Sequence, residues 1–382
     1  MMEIGSQRAA FEVSDEVVYL NAAGMSPLLR SVRAAGERGL ARRAAPWTIR
    51  DADWFDDVER LRTRFAGLVN ADPDGVALVP STSYGLAVAA RNLRAAPGAH
   101  VLVLHDEFPS SYHTWQAFAG RTGARLVVVT RERGQPWTAA VLAAVDERAA
   151  VVVVPQVHWT DGAPVDVARV AAAARSAGAA LVVDGSQSVG AIPVDVAHLR
   201  PDFLVTVGYK WLLGPMGLGY LVVDEAHRDG QPLEENWSSR AGSDDFAAVV
   251  GYADAYLPGA RRFDVGQHSN FNLVPMAIAG IEALAAWQVP AVEAALAAVT
   301  ARIVERIAAL DAPGLRLPPA GERAPHILGL EVPDGAGGRV AAHLRDAGVV
   351  VGVRGRTVRI SPHMHTSAAD VDRFVEALRA FR

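Results

Sequence analysis

Short apolar runs alternate with longer, alanine-rich amphipathic stretches from about Val76 to Val223. The runs have the length of strands and lie at Val76–Val79, Val101–Leu104, Leu126–Val129, Val151–Val154, Leu181–Val183, Phe203–Val207 and Tyr220–Val223. The stretches between several of them are typical of helices, such as Tyr84–Leu93, Trp137–Val145 and Val167–Ser176. Continuous apolar strands separated by helices predict an α/β fold with a mainly parallel, helix-covered sheet. Ligands bind such a sheet at the carboxyl ends of its strands.

The pattern changes after Asn272, where two long helices replace the alternation of strand and helix. The predicted elements are helices at Pro275–Trp287 and Pro290–Leu310, a strand at His326–Val332, a helix at Arg339–Ala347, strands at Val349–Val353 and Thr357–Ser361, and a helix at Ser367–Phe381. This order of elements indicates a second, compact α+β unit.

Composition narrows the class of protein. Hydrophobic residues make up 51% of the 382 residues and charged residues 21%, which is ordinary for a globular enzyme. The net charge of −5 gives no indication of a nucleic-acid partner. No apolar run approaches the roughly 20 residues that a membrane span requires, and residues 1–10 lack the apolar core of a signal peptide, so we expect a cytoplasmic location and no membrane partner. The chain has no cysteine, which excludes disulfides and cysteine-bound metal.

Asp184 and Lys210 are the most informative pair in the chain. Each stands just beyond a short apolar run that is predicted to be a buried strand, so both lie at the same edge of the sheet. An amine can form a Schiff base with an aldehyde, and a carboxylate can keep a pyridine nitrogen protonated. The pair therefore predicts a site for pyridoxal 5′-phosphate (PLP), with Lys210 and Asp184 as catalytic residues.

A segment of small hydroxyl residues, Pro80–Gly85, joins a predicted strand to a predicted helix. The first N–H groups of a helix and the positive end of its dipole attract anions. We expect Thr82 and Ser83 to bind the cofactor phosphate, although the same sequence would also make an ordinary helix cap.

The segment from Asp184 to Tyr220 contains Asp184, Gln187 and the array Lys-Trp-Leu-x-Gly-Pro that begins at Lys210. In these motifs the chain resembles the fold-type I PLP enzymes of the class V aminotransferase family, which includes cysteine desulfurases, isopenicillin N epimerases and, more distantly, kynureninases. The resemblance runs from Tyr19 to the C-terminal helix. It implies a large PLP-binding domain (16–265), a small domain (266–382 with 1–15), and a homodimer with shared active sites.

The resemblance also implies roles for further residues. Gln187 is expected near the 3′-oxygen of the ring and Tyr209 near the phosphate. Trp159 stands in roughly the register of a desulfurase asparagine that contacts the 3′-oxygen, and it or His158 is expected to line the pocket. Phe108 takes the place where desulfurases have a histidine that stacks on the ring, and the stretch around it looks more like that of kynureninases. Gln267 is expected to reach the phosphate of the neighbouring subunit.

The resemblance places the substrate on the C-terminal side of the site. Arg359 is similar to the family arginine that binds the substrate carboxylate. It alternates with Val358 and Ile360, so it should point away from the core of the small domain. Asn21 and His158 are further substrate-side candidates. His363 and His365 have no third ligand at suitable spacing, so no metal site is predicted.

The resemblance implies an enzyme that acts on an α-amino acid through an external aldimine and a quinonoid. Transamination or β-elimination is favoured. The lack of cysteine removes the thiol that a persulfide-forming desulfurase needs. A kynureninase-like hydrolase and an amino-acid epimerase remain as alternatives. A PLP-fold protein that binds ligands without catalysis is the alternative from another functional class.

Overall fold

The computed structural model describes residues 5–381 except 311, 313 and 334, so the first four residues of the predicted small domain lie outside the described part. The strands are β1 (Val18–Tyr19), β2 (Val76–Val79), β3 (His100–Leu104), β4 (Arg125–Val129), β5 (Ala149–Pro155), β6 (Ala180–Asp184), β7 (Phe203–Val207), β8 (Gly219–Val223), β9 (Leu328–Glu331), β10 (Val349–Val350), β11 (Gly352–Arg354) and β12 (Thr357–Ile360). The helices are α1 (Arg30–Ala44), α2 (Asp56–Leu68), α3 (Thr82–Asn92), α4 (Pro109–Thr122), α5 (Trp137–Ala144), α6 (Val167–Ala177), α7 (Val196–Leu199), α8 (Leu273–Trp287), α9 (Val289–Ala308), α10 (Gly337–Asp346) and α11 (Ala368–Ala380).

The main sheet has the strand order β2-β8-β7-β6-β5-β3-β4. Its neighbours from β7 to β4 pair in parallel, whereas β8 runs antiparallel to both β7 and β2. The prediction of an α/β fold with a mainly parallel sheet is therefore confirmed. Because every strand except β8 runs in the same direction, the carboxyl ends of β2, β3, β5, β6 and β7 meet at one edge.

Both faces of the sheet are buried, and this explains why its strands are continuously apolar. Leu102 and Leu104 of β3 belong to the core under α2, α5, α6 and α8, whereas Val101 and Val103 belong to the core under α3 and α4. Successive side chains of a strand point to opposite faces, so each strand must supply apolar residues at every position.

The C-terminal unit is built around a smaller sheet, β11-β12-β9, and the parallel pair β1-β10. Helices α10 and α11 and the end of α9 pack on its core, which includes Val18 and Leu20. The N-terminal segment that joins this unit thus continues to Leu20, past the predicted boundary at residue 15. On the other side, α8 packs in the core of the main sheet through Val274, Ile278 and Ile281, although the prediction assigned it to the small domain.

A buried ion pair ties the first strand of the main sheet to a distant part of the chain. Arg62 on α2 and Asp264 are 1% and 2% exposed, and Arg62 Nη2 lies 2.8 Å from Asp264 Oδ2. The other carboxylate oxygen accepts the backbone N–H of Leu78 in β2 at 2.7 Å. The pair therefore fixes the strand that leads into the Thr82–Ser83 segment.

No single helix among the described residues is long and apolar enough to cross a membrane. Helices α8 and α9 together reach the required length and composition, but they are bent by 78° at the break between them.

We predict that Asp264→Ala will destabilise the protein by roughly 3–5 kcal/mol, because it removes the buried partner of the Arg62 guanidinium and leaves only the more exposed Glu59 beside it. The measurement is urea unfolding of the cofactor-free protein, followed by circular dichroism. Glu37→Ala is the matched control, since it removes the exposed Arg33–Glu37 pair and should cost less than about 1 kcal/mol. Equal losses in the two variants would contradict the prediction.

Candidate active site

A cavity of about 350 Å³ opens at the carboxyl edge of the main sheet. Its walls come from the carboxyl ends of β2, β3, β5, β6 and β7 and from the segments that follow them, the last of which is the loop between β7 and β8. The lining residues are Pro80, Ser81, Thr82, Ser83, Glu107, Phe108, Ser110, Pro155, Val157, Trp159, Asp184, Ser186, Gln187, Val207, Tyr209, Lys210, Met216 and Gly217. The structure thus brings eight of the predicted cofactor residues to one cavity.

Lys210 lies in the loop between β7 and β8. Gly208 makes this loop possible, because a Cβ at that position would lie 2.7 Å from the carbonyl oxygen of Leu218. Lys210 is the only lysine in the chain and is only 9% exposed. Burial is the main cause that lowers the pKa of its amine to about 8. The charge of Asp184 raises this pKa, and the charges of Arg359 and Arg354 lower it further. About a tenth of the amine is therefore uncharged, and nucleophilic, at pH 7, far more than for an ordinary lysine.

Asp184 is the last residue of β6 and is buried. Its Oδ1 accepts the backbone N–H of Ser186 at 2.9 Å, which orients the carboxylate at the strand end. Its negative charge acts on two other groups of the cavity, since it raises the pKa of both Lys210 and Glu107. Asp184 thus supplies the acidic side of the site.

The N-terminus of α3 forms another wall. Ser81 is the cap residue, and its hydroxyl oxygen accepts the N–H of Tyr84 at 3.2 Å. The carbonyl oxygen of Ser81 accepts the N–H of Gly85. The first N–H groups of a helix have no partner within the helix, so those of Thr82 and Ser83 are left for a ligand. The Thr82 hydroxyl lies 3.0 Å from that of Ser186, which joins this wall to the Asp184 side.

Phe108 and Trp159 form an aromatic wall. Their ring centroids are 5.3 Å apart at 89°, and the indole N–H of Trp159 donates to the carbonyl oxygen of Asp106 at 2.6 Å. The Lys210 amine lies 5.7 Å from the centroid of the Phe108 ring. A flat aromatic ligand attached to Lys210 could therefore pack against Phe108.

Gln187 and Tyr209 line the cavity in different ways. The amide of Gln187 is already engaged on both atoms: Nε2 donates to Ala23 O at 3.1 Å, and Oε1 accepts the indole N–H of Trp211 at 2.9 Å. Gln187 therefore holds the N-terminal segment and the lysine loop together. Tyr209 is half-buried, and burial raises its pKa, so its hydroxyl stays protonated.

Arg359 on β12 is almost completely buried, but it has no carboxylate partner among the described residues. Its Nη1 donates to Trp159 O at 2.6 Å, whereas Nε and Nη2 have no partner. Asn21 Oδ1 is also buried without a partner. It lies on the same side of Gly352 as Arg359, since a Cβ added to Gly352 would be 3.0 Å from Asn21 Oδ1 and 3.5 Å from Arg359 Nε. Burial and the charge of Arg354 lower the pKa of Arg359 to about 9, so it still carries a positive charge at neutral pH.

Four of the predicted residues are not among those that line the cavity: Arg359 and Asn21, described above, and His158 and Gln267. His158 is buried, its ring nitrogens lie 2.7 Å from Thr160 Oγ1 and 3.1 Å from His105 O, and its ring stacks on Trp137. These contacts use both nitrogens in structural roles. Gln267 is exposed on the surface of this chain.

Glu107 lines the cavity but was not predicted from the sequence. It is buried, and burial together with the charge of Asp184 raises its pKa to about 7. A signal was present, since an acidic residue directly precedes Phe108 at the same edge of the sheet. Among the described residues no group of three or more His, Cys, Asp or Glu side chains could hold a metal ion.

These residues fit PLP. The helix N-terminus at Thr82 and Ser83 suits a monophosphate, the Phe108 face suits a pyridine ring, and Asp184 suits a protonated ring nitrogen. Lys210 would hold the aldehyde carbon. PLP, when bound, supplies a ring that accepts electrons from the Cα of an amino acid.

The comparisons with known proteins agree with this site. The family described as "Aminotransferase class-V" matches residues 18–375, and the chain belongs to this family. It is a PLP-dependent enzyme with a fold of type I. It is 28% identical over 333 residues to the uncharacterized aminotransferase YcbU of Bacillus subtilis (strain 168), with 86% of this chain and 85% of YcbU covered.

Two further proteins match over nearly their full length. Isopenicillin N epimerase of Streptomyces clavuligerus is 27% identical over 388 residues, with 95% of this chain and 94% of the epimerase covered. The solved complex between the cystine C–S lyase C-DES and its reaction product cysteine persulfide has a TM-score of 0.86 at 18% identity, and the match covers 96% of this chain and 98% of that chain. This last likeness shows the fold.

We predict that Lys210→Ala will still bind PLP but will lose turnover by several orders of magnitude, because a covalent nucleophile and base is deleted. Borohydride reduction followed by peptide mass analysis should find PLP on residue 210 of the native protein and on no peptide of the variant. When PLP is added to the cofactor-free native protein, the initial rate of Schiff-base formation should rise with pH as the Lys210 amine loses its proton near pH 8. A label on the N-terminal amine alone would contradict the assignment.

Proposed function

We propose that this enzyme catalyses transamination or β-elimination of an α-amino acid, with Lys210 as the base that removes the proton from Cα. The observation that carries the proposal is the Lys210 amine, buried at 9% exposure in the cavity with a pKa lowered to about 8. Once a substrate amine has replaced it on the cofactor, this amine is free and close to the reacting carbon. A group with a pKa near the working pH is an effective general base.

Arg359 supports an amino acid as the substrate. A buried guanidinium without a carboxylate partner is costly, and a bidentate carboxylate from the substrate would satisfy the two unpaired donors, Nε and Nη2. The Oδ1 of Asn21 is buried and unpaired as well, so it can accept a hydrogen bond from a donor group of the substrate. In this arrangement Asp184 holds the ring nitrogen protonated, while Trp159 fixes the guanidinium through its carbonyl oxygen.

The chemistry that follows proton removal decides the reaction. A persulfide-forming desulfurase is excluded because it needs a nucleophilic cysteine, and this chain has none. A kynureninase-like hydrolase is the second candidate. It is favoured by the aromatic wall of Phe108 and Trp159, which suits a substrate with a flat aromatic side chain.

A screen of amino acids against the PLP-loaded enzyme tests the proposal. Cofactor absorbance reports turnover, and product analysis distinguishes a keto acid (transamination), pyruvate with ammonia (β-elimination), anthranilate (hydrolysis) and inverted substrate (epimerisation). A keto acid or pyruvate is the expected product. The proposal is overturned if every amino acid leaves the absorbance unchanged, as a binding protein without catalytic activity would.

We expect Arg359→Ala to raise the KM for the true substrate, with a loss of binding free energy on the order of 2–5 kcal/mol, because a buried charge pair is removed. PLP affinity should stay unchanged, since the residue faces the substrate. Arg359→Lys should not restore KM, because an ammonium cannot make the bidentate contact. The measurement is steady-state kinetics beside a PLP titration. Normal kinetics with weakened PLP binding would place Arg359 in the cofactor site instead.

We also propose a homodimer in which each active site is completed by the other chain. Two features of the surface support it: Gln267 is exposed away from the cavity of its own chain, and Met216, which lines the cavity, is 58% exposed. Light scattering should give a dimer, and Gln267→Ala should weaken PLP binding. A fully active monomer would be inconsistent with this arrangement.

A further inference from the structure

Glu107 is a second acid in the wall of the cavity, and the proposed reaction does not use it. It is only 7% exposed and belongs to the segment between β3 and α4. Its Oε1 accepts the backbone N–H of Phe108 at 2.7 Å, whereas Oε2 is buried without any partner among the described residues. A buried carboxylate oxygen without a donor is costly when it is ionised.

Burial and the charge of Asp184 favour the neutral form of Glu107, whereas the charge of His158 and the N–H of Phe108 favour its ionised form. Asp184 faces it from the end of β6, His158 from the segment after β5, and Lys210 with Tyr209 from the loop after β7. Burial is the larger cause of its raised pKa, and the negative charge of Asp184 is the second. Two carboxyl groups in one poorly solvated wall do not both ionise easily, so one of them keeps its proton.

We propose that Glu107 is a positioning residue of the cofactor site, a carboxyl group held in its neutral form on the acid side of neutrality so that Asp184 there provides the negative charge for the ring nitrogen. One oxygen of Glu107 holds the N–H of Phe108 and thereby fixes the ring that packs against the cofactor. Its other oxygen, the buried and unpartnered Oε2, carries the proton. The inference rests on the cofactor and not on which reaction the enzyme catalyses.

The first test uses the cofactor-free protein. Glu107→Gln keeps the size of the side chain and mimics the neutral acid at every pH. In the unfolded chain Glu107 has its ordinary pKa of 4.5, and in the folded protein the pKa is about 7. The unfolded state therefore loses this proton first as pH rises, and the native protein loses stability between about pH 4.5 and 7 through this group.

The Tm of Glu107→Gln minus that of the native protein should therefore grow between pH 4.5 and 7 and level off above. Glu376→Gln, at an exposed glutamate of α11, is the control for a general acid-to-amide effect and should give a flat difference. A flat or falling difference for Glu107→Gln would overturn the proposal, because a carboxylate ionised throughout this range gives no rise.

The second test measures the dissociation constant of PLP by absorbance at about pH 6, where the Glu107 carboxyl is mainly protonated. Glu107→Gln should bind PLP within about threefold of the native protein, because its amide oxygen can still accept the N–H of Phe108. Glu107→Ala should bind about tenfold more weakly or worse, since Phe108 loses its acceptor, and Glu107→Asp should also weaken binding because it is one methylene shorter. If the alanine variant does not fold, the aspartate and glutamine variants decide the result.

An equal loss in Glu107→Gln and Glu107→Ala, with Glu107→Asp retaining affinity, would show that an ionised carboxylate is required and would overturn the proposal. A failure of the Glu107 proposal can be distinguished from a failure of the cofactor assignment. If the native protein itself bound no PLP, the assignment of the cofactor would be wrong, whereas the stability profile of Glu107 would still stand or fall by itself.

Discussion

The site depends on lowering the pKa of an amine in a cavity whose wall also contains the carboxyl group of Asp184. Burial favours the neutral amine of Lys210, whereas the attraction of Asp184 favours the charged form. The positive charges of Arg359 and Arg354 oppose Asp184, and the resulting pKa lies near 8. The parallel sheet makes this balance possible, because it delivers residues from five separate strand ends to one edge.

Arginine is used in two different ways in this fold. Where it stabilises the fold it is matched, as in the buried pair of Arg62 with Asp264 and in the contacts of Arg131 with Asp161 and Glu322. Arg359 is instead buried against a backbone carbonyl oxygen, with two donors unpaired. The protein can carry the cost of such a group because the matched pairs elsewhere hold the elements around it, and a substrate anion can then recover part of that cost.

Sequence patterns predicted the strands well because nearly all of them are apolar on both faces. Val76–Val79 and Phe203–Val207 have the same bounds in the prediction and in the structure. The patterns did not predict α1, which buries little besides Val32 and Ala35 and so has a weak apolar stripe. The predicted strand Val349–Val353 is divided, because the chain changes partner from β1 to β12 at Val351, and pairing partners are not visible in a local pattern.

Asp184 and Lys210 could be predicted as site residues because they lie at or just after the carboxyl ends of β6 and β7, and these ends meet at one edge of the sheet. The directions of side chains in the loops could not be predicted. The left-handed backbone of Asp106, with φ of 55°, precedes Glu107 and helps to set its direction, and the turn after β5 points His158 away from the cavity lining.

Lys210 has a further consequence as the only lysine among 37 lysine and arginine residues. A free aldehyde condenses with amines, whereas a guanidinium stays protonated and is a poor nucleophile for this chemistry. The surface of this enzyme therefore offers a reactive aldehyde no lysine ε-amine outside the active site. Its positive surface charge comes from guanidinium groups, which do not form stable Schiff bases with simple aldehydes such as excess cofactor. The choice of cation therefore confines lysine Schiff-base chemistry to the active site.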